Sequence, residues 1–190
     1  MPKKILIVSG SPKKNGNTAA LVAWFAQGAQ SRGAWVETVF AAFLKHKTMG
    51  CLSCRQCQTC AEYECVVGDE VRDVLEKMVS SDVIVMATPL YFFGPSAQLK
   101  LVLDRMFSLY KWDNAAGTMK TVLKGKTLVL LASAFETVGL QTLRVSFKMI
   151  ADYTGMKFFA LLIPNAGISG QIKDKPYTRT KTIVFGKKFA

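Results

Sequence analysis

Residues 3–21 read KKILIVSGSPKKNGNTAAL. Ile5 to Val8 form a continuous apolar run that closes on Ser9 and Gly10, as expected of a strand buried on both faces of a parallel sheet. The loop that follows carries two glycines, hydroxyls at Ser9, Ser11 and Thr18, and amides at Asn15 and Asn17. Asn17 is a reasonable cap for a helix in which Leu21, Val22, Phe25 and Ala29 recur at helical spacing before Gly33 stops it. Exposed backbone N–H groups and the positive end of the helix dipole suit a phosphate, whose oxygens the short polar side chains can reach. An ordinary turn and helix cap would use the same residue types, so the rest of the chain must supply the ligand's identity. A Walker loop would need a glycine at position 120, ahead of Gly125, Lys126 and Thr127, where Lys120 stands; the GxGxxG dinucleotide pattern is also absent.

Outward from this stretch, strand and helix patterns alternate. A second strand is expected over AWVETVF (34–40), and Asp69 opens a helix with Val71, Val74, Leu75 and Met78 on one face. A third strand follows over DVIVMA (82–87), and Pro95 marks the start of a helix turning Leu99, Leu103, Met106 and Phe107 inward. TLVLLAS (127–133) is a fourth strand, Leu140, Leu143, Phe147 and Ile150 mark another helix ending at Gly155, and KFFALLI (157–163) is a fifth strand before a weakly patterned tail. This order implies an α/β fold, a parallel sheet with helices on both faces and ligands beyond the carboxyl ends of its strands.

At 190 residues, half of them hydrophobic and a fifth charged, the chain fits a single globular domain spanning 1–190 with a core large enough to need no cross-links. No apolar run is long enough to span a bilayer, and the apolar part of the N-terminus is too short for a signal peptide. A cytoplasmic location is therefore expected, where clustered thiols more often bind metal or do redox chemistry than form structural disulfides. The net charge of +12 accords with nucleic acid, an anionic membrane surface or phosphorylated ligands and does not by itself choose among them; with no basic stripe interleaved with aromatics, nucleic acid is not expected as a partner.

After the third strand comes TPLYFFGPSAQLK (88–100). Thr88 and Pro89 are expected to break the strand, Tyr91, Phe92 and Phe93 place aromatic rings at its carboxyl end, and Gly94 permits close backbone approach, a surface suited to a planar cofactor. A hydrophobic core or interface loop is the plainer use of such rings. Together GSPKKNGNT (10–18) and TPLYFFGPSAQLKLVLDR (88–105) resemble the flavodoxin-like NAD(P)H-dependent FMN reductases, whose patterns are GSPRKxGNT after the first strand and SPxYFGxxSAQLKxxxDR after the third. The resemblance covers residues 3 to 163 and implies a doubly wound five-stranded sheet of order 2-1-3-4-5. It also implies an FMN whose phosphate is held by Ser11, Lys13, Asn15, Asn17 and Thr18 and whose ring is bordered by Pro89, Leu90, Tyr91, Phe92 and Gly94. The third contact loop would include Ser133, although ASAFE (132–136) lacks the glycines often found there, which weakens the carry-over to Ser133, Ala134 and Glu136. The resemblance further implies hydride transfer from NAD(P)H to a quinone, flavin or other small acceptor with no side-chain acid or nucleophile required, and a homodimer or homotetramer.

All five cysteines fall in CLSCRQCQTCAEYEC (51–65), between the second strand and the second helix. The iron-sulfur flavoprotein subgroup of the same family carries a compact cysteine motif at this place. The spacing suits a [4Fe–4S] cluster, because three thiolates on one tight loop can each reach a different iron while a fourth comes from further along. Two registers fit: Cys51, Cys54, Cys57 and Cys65, or Cys54, Cys57, Cys60 and Cys65. The resemblance favours the first, leaving Cys60 as the spare. Zinc on four thiolates and a cluster-free thiol or disulfide switch are the rival readings, and an electron relay from a ferredoxin-like donor is the alternative to a reductase. His46, alone among lysines, is given no role.

Overall fold

Alternate residues of the central strands serve opposite layers, which is how a two-period backbone builds two cores. Leu6, Val8, Ile84, Met86, Leu128 and Leu130 enter one buried cluster, whereas Ile5, Ile7, Val83, Val85, Val129 and Leu131 enter the other. The computed structural model describes residues 1–113 and 115–190. In chain order its elements are β1 (Lys4–Ser9), α1 (Asn17–Gln30), β2 (Trp35–Phe40), α2 (Glu70–Ser80), β3 (Val83–Tyr91), β4 (Gly94–Pro95), α3 (Ala97–Arg105), β5 (Tyr110–Asp113), β6 (Thr118–Thr121), β7 (Thr127–Ser133), α4 (Leu140–Thr154), β8 (Lys157–Ile163) and α5 (Pro176–Gly186). Short 3-10 turns link several of them.

The sheet order is β2-β1-β3-β7-β8, all pairs parallel, which is the expected 2-1-3-4-5 once only the parallel strands are numbered. α2, α3 and α4 pack on one face and α1 and α5 on the other. Successive connections leave β1 and β3 side by side with their helices on opposite faces, so a crevice opens beyond their carboxyl ends.

Three local expectations are corrected. β3 runs through Thr88 and Pro89 to Tyr91; β1 pairs with it only as far as Ala87, so at Thr88 and Pro89 the strand has a parallel partner on one side only and tolerates proline. Pro95 does not start a helix but pairs with Leu90 in β4, and α3 begins at Ala97 because Ser96 caps it, its Oγ accepting from the Leu99 N–H at 3.3 Å. Asn17 is not a cap: Gly16 occupies that position, and the Asn17 side chain is used elsewhere.

The weakly patterned tail contains α5, with Pro176 at its first turn. α5 lies directly on α1, backbone against backbone. A Cβ on Gly28 would stand 2.1 Å from the Ile183 carbonyl oxygen, and one on Gly186 would stand 2.2 Å from that of Phe25. This reciprocal contact lets Phe25, Phe185 and Phe189 stack around the crossing, with Phe25 and Phe189 ring centres 5.6 Å apart. Gly28→Ala and Gly186→Ala are each expected to lower unfolding stability toward the upper end of about 1–3 kcal/mol, by urea titration. Gly68→Ala, which meets nothing within 4 Å, should change it by no more than about 0.5 kcal/mol.

Candidate functional site

A pocket of about 320 Å³ lies beyond the carboxyl ends of β1, β3, β7 and β8. Its floor is the first loop. Ser11 is buried, its Oγ donating to the Lys13 carbonyl at 3.0 Å and accepting from the Lys13 N–H at 3.2 Å, so the loop is folded around it. The Thr18 and Ser133 hydroxyls lie 3.3 Å apart, joining the first loop to the end of β7. At Gly16 an added Cβ would come within 3.3–3.7 Å of Lys13 Cβ, Ser169 Oγ and Ser11 Oγ, so glycine keeps the cradle open. The first turn of α1 has no acidic side chain, which leaves its positive end uncompensated beside Lys13. Ser9 Oγ is fully buried with no partner among the described residues. The N–H groups opening α1, Lys13 and the Thr18 and Ser133 hydroxyls line the pocket and fit a phosphate.

Asn17 organises the opposite wall. Its Nδ2 donates to the carbonyls of Ala166, Gly167 and Ile168 at 3.0–3.2 Å, and its Oδ1 accepts from the N–H groups of Gly170 and Ile172 at 2.9 and 3.2 Å. One amide thereby fixes the loop after β8, which lines the pocket from Ala166 to Ser169. That loop escaped the sequence reading. Its signal was PNAGISG (164–170), turn residues directly after a strand, with Asn165, Gly167 and Gly170 all at positive φ.

Pro89, Leu90 and Tyr91 line the pocket on the β3 side. Phe92 and Phe93 form the turn between β3 and β4 with φ of 44° and 65°, a left-handed pair that normally calls for Asn-Gly. Phe92 is 99% exposed, while Phe93 packs on Gly139 and its carbonyl accepts from Thr142 Oγ1 at 2.7 Å. Of the sequence-derived flavin residues, Ser11, Lys13, Asn17, Thr18, Pro89, Leu90, Tyr91 and Ser133 line the pocket; Asn15, Phe92 and Gly94 do not. Close packing also ties the two motifs together. Ser96 Oγ donates to the Gly10 carbonyl at 2.6 Å, its N–H donates to Thr88 Oγ1 at 3.0 Å, and a Cβ on Gly10 would meet Leu99 Cβ at 2.5 Å.

The cysteine loop lies by the far end of α3. Cys51, Cys54, Cys57 and Cys65 border one small cavity and Cys60 does not. Cys57 is buried and Cys51 and Cys54 are exposed; burial pushes the Cys57 thiol up, the Gln58 amide opposes this, and the neighbouring thiols of Cys65, Cys51 and Cys54 add to the rise. Left-handed Ser53 and Arg55 wind the loop so that the Ser53 N–H donates to Cys51 Sγ at 3.4 Å. Among the described residues no three His, Cys, Asp or Glu side chains stand close enough to hold a single metal ion. Four thiols on one cavity, with an N–H donor to sulfur, are the donor set a polynuclear iron-sulfur cluster uses.

The loop is pinned at its base and flank. Arg105 donates to both carboxylate oxygens of Asp69 at 2.7 and 2.8 Å and to the Val67 carbonyl at 2.8 Å, with both charged side chains 1% exposed. Asp69 also accepts from the Lys47 N–H at 2.9 Å and caps α2 through the Arg72 N–H. On the flank, Gln58 spans to β5, donating to the Tyr110 carbonyl and accepting from the Trp112 N–H, both at 3.0 Å. Lys111 donates to the carbonyls of Cys57 and Cys60.

The profile of the NADPH-dependent FMN reductases matches residues 3–173. The chain belongs to that family. It is similar to an iron-sulfur flavoprotein of Methanocaldococcus jannaschii, 36% identical over 102 residues, which cover 54% of this chain and 51% of that protein. A similar protein from Archaeoglobus fulgidus, also an iron-sulfur flavoprotein, is 30% identical over 142 residues, 74% of this chain and 67% of that one. The chain thus aligns with about half the length of the first of these relatives. An FMN-dependent NADH-azoreductase from Bacillus anthracis, solved with FMN, superposes with a TM-score of 0.74 at 13% identity, covering 99% of each chain, which establishes the flavodoxin-like fold. No described helix is long and apolar enough to cross a membrane.

Burial opposes ionisation of Asp69, but hydrogen bonds from the Lys47 N–H, Arg105 and the Arg72 N–H outweigh it and hold the carboxyl below its ordinary 3.8. As pH falls, the unfolded chain therefore takes up this proton first. The stability Asp69 contributes is complete above that ordinary value and is lost as pH drops through the lowered one. Asp69→Asn, which leaves the buried Arg105 without its counter-charge, should cost about 3–5 kcal/mol at pH 7. The gap from the parent should narrow below about pH 4 in acid-unfolding titrations.

Proposed function

We propose that the chain is an FMN-dependent oxidoreductase that takes hydride from NAD(P)H and delivers the electrons to a quinone, flavin or other small acceptor. Cys51, Cys54, Cys57 and Cys65 would hold a [4Fe–4S] cluster. The observation that carries the reading is the pocket beyond the carboxyl ends of β1 and β3, with an open phosphate cradle on one side and Pro89, Leu90 and Tyr91 on the other. Bound FMN supplies the chemistry, accepting a hydride and releasing electrons in steps of one or two.

What the chain does is bind, orient and shield. The N–H groups opening α1, with Lys13 and the Ser11 and Thr18 hydroxyls, would hold the phosphate, and Leu90 and Tyr91 would border the ring. Asn17 reaches the same pocket chiefly through the loop it tethers. Phe92, Phe135 and Ile168 are exposed apolar groups at or near the pocket mouth, and a second copy of the chain covering them accords with a homodimeric or homotetrameric assembly. An electron relay from a ferredoxin-like protein is the second reading, favoured by exposed Cys51 and Cys54, which a protein donor can approach directly.

The test is anaerobic purification followed by assays of FMN, iron and labile sulfide, with NADH, NADPH and reduced ferredoxin each offered as donor. About one FMN and about four irons per chain are expected, with oxidation of a reduced nicotinamide. A chain that takes up no flavin overturns the proposal, and flavin without iron or sulfide overturns its cluster part alone. Gly16→Val, which fills the cradle, should weaken FMN binding by about tenfold or more in equilibrium titration. Cys60→Ser should keep its iron, whereas Cys57→Ser should lose it.

A further inference from the structure

A second pocket, of about 440 Å³, lies between β5, the cysteine loop and the end of α4, and no described residue lines both it and the flavin pocket. Its apolar walls are Phe107, Tyr110, Trp112 and Tyr153. Phe107 and Tyr110 meet edge to face at 4.8 Å and 73°, and Tyr110 and Tyr153 at 5.7 Å and 80°. These contacts fix the rings against one another, so the slot they form is built before anything enters it. Burial, with the Tyr153 phenol beside it, pushes the Tyr110 phenol up to about 12, so it keeps its proton at neutral pH.

The polar side is equally defined. Among the described residues Arg55 is the only charged one lining the pocket, and Gln58 and Thr59 are the other polar side chains of the cysteine loop there. Arg55 has φ of 58°, a conformation costly for a residue other than glycine, held where its side chain borders both this pocket and the thiol cavity. Phe107 is likewise shared by the two. The combination of an aromatic slot, one guanidinium and, among the described residues, no carboxylate in the lining selects for a flat ring bearing an acidic group.

We propose that this pocket binds a planar aromatic anion, its ring against Tyr110, Trp112 and Tyr153 and its acidic group on Arg55. Such a ligand would sit against the cysteine loop, apart from the flavin. The volume takes a bicyclic ring system, at the small end of ordinary ligand pockets. The inference rests on this pocket's own side chains and stands whether or not FMN occupies the other.

Calorimetric titration of the purified chain with naphthalene-2-sulfonate, and with its neutral analogue naphthalene-2-sulfonamide, provides the test. Saturable binding of one sulfonate per pocket is expected. Arg55→Gln should weaken the sulfonate by roughly tenfold or more and the sulfonamide by no more than about twofold. Tyr153→Leu, at an exposed position on a regular helix and so benign for folding, should weaken both probes, while FMN affinity stays at the parent value in each variant. Absence of saturable binding, equal losses of both probes in Arg55→Gln, or displacement of the sulfonate by FMN would each overturn the assignment.

Discussion

The contact in which Arg105 Nη1 bridges both carboxylate oxygens of Asp69 holds together parts of the chain that have little else in common. Asp69 caps α2, receives the Lys47 N–H from the start of the cysteine segment and meets Arg105 from the end of α3, which itself holds the Val67 carbonyl. Burying two charges is costly, and a hydrophobic pair of the same volume would serve stability as well or better. What such a pair could not do is satisfy backbone groups of a segment that has almost no regular structure of its own. Between β2 and α2 the chain forms only brief 3-10 turns, and its position is set by pins of this kind. Arg105 Nε has no partner among the described residues, so the arrangement is not saturated even here.

α3 then relates the two halves of the molecule. Its capping residue Ser96 is bonded to Gly10 beneath the pocket at the carboxyl ends of the strands, and its last residue, Arg105, anchors the cysteine loop. A nine-residue helix spans about 13 Å. Because both ends are tied by buried hydrogen bonds, the offset between pocket and loop is set by one rigid rod rather than by the loops. The hairpin of β5 and β6 supports the loop from the other side, with Gln58 and Lys111 standing in for a missing strand partner.

The parallel strands were legible because each is a short apolar run bounded by turn residues, and four of the helices because leucine, valine and phenylalanine recur on one face. α5 was not, because the positions it buries are Thr178, Thr182 and Gly186, which carry no hydrophobic period; it packs by closeness of backbone rather than by bulk. Asn17 looked like a cap, and nothing local reveals that its partners lie about 150 residues further on. The loop after β8 did carry a local turn signal, but only its tether to Asn17 brings it to the pocket. Cys51, Cys54, Cys57 and Cys65 border one cavity and Cys60 does not, a grouping that the even triplet spacing of the cysteines does not by itself reveal. The buttress of Gln58 and Lys111 had no signature at all, being an accident of spacing between two irregular segments until they fold together.

The turn at Phe92 and Phe93 has a thermodynamic meaning beyond its shape. A left-handed backbone at two bulky residues is a standing cost of order 1–3 kcal/mol each, met by the unliganded chain at all times. With Phe93 clamped on α4 and its carbonyl bonded to Thr142, the Phe92 ring is held out on a stiff mount rather than a floppy one. Anything that comes to rest on it finds the ordering entropy already spent, so the apolar area it covers converts more fully into affinity than the same ring on a mobile loop would allow.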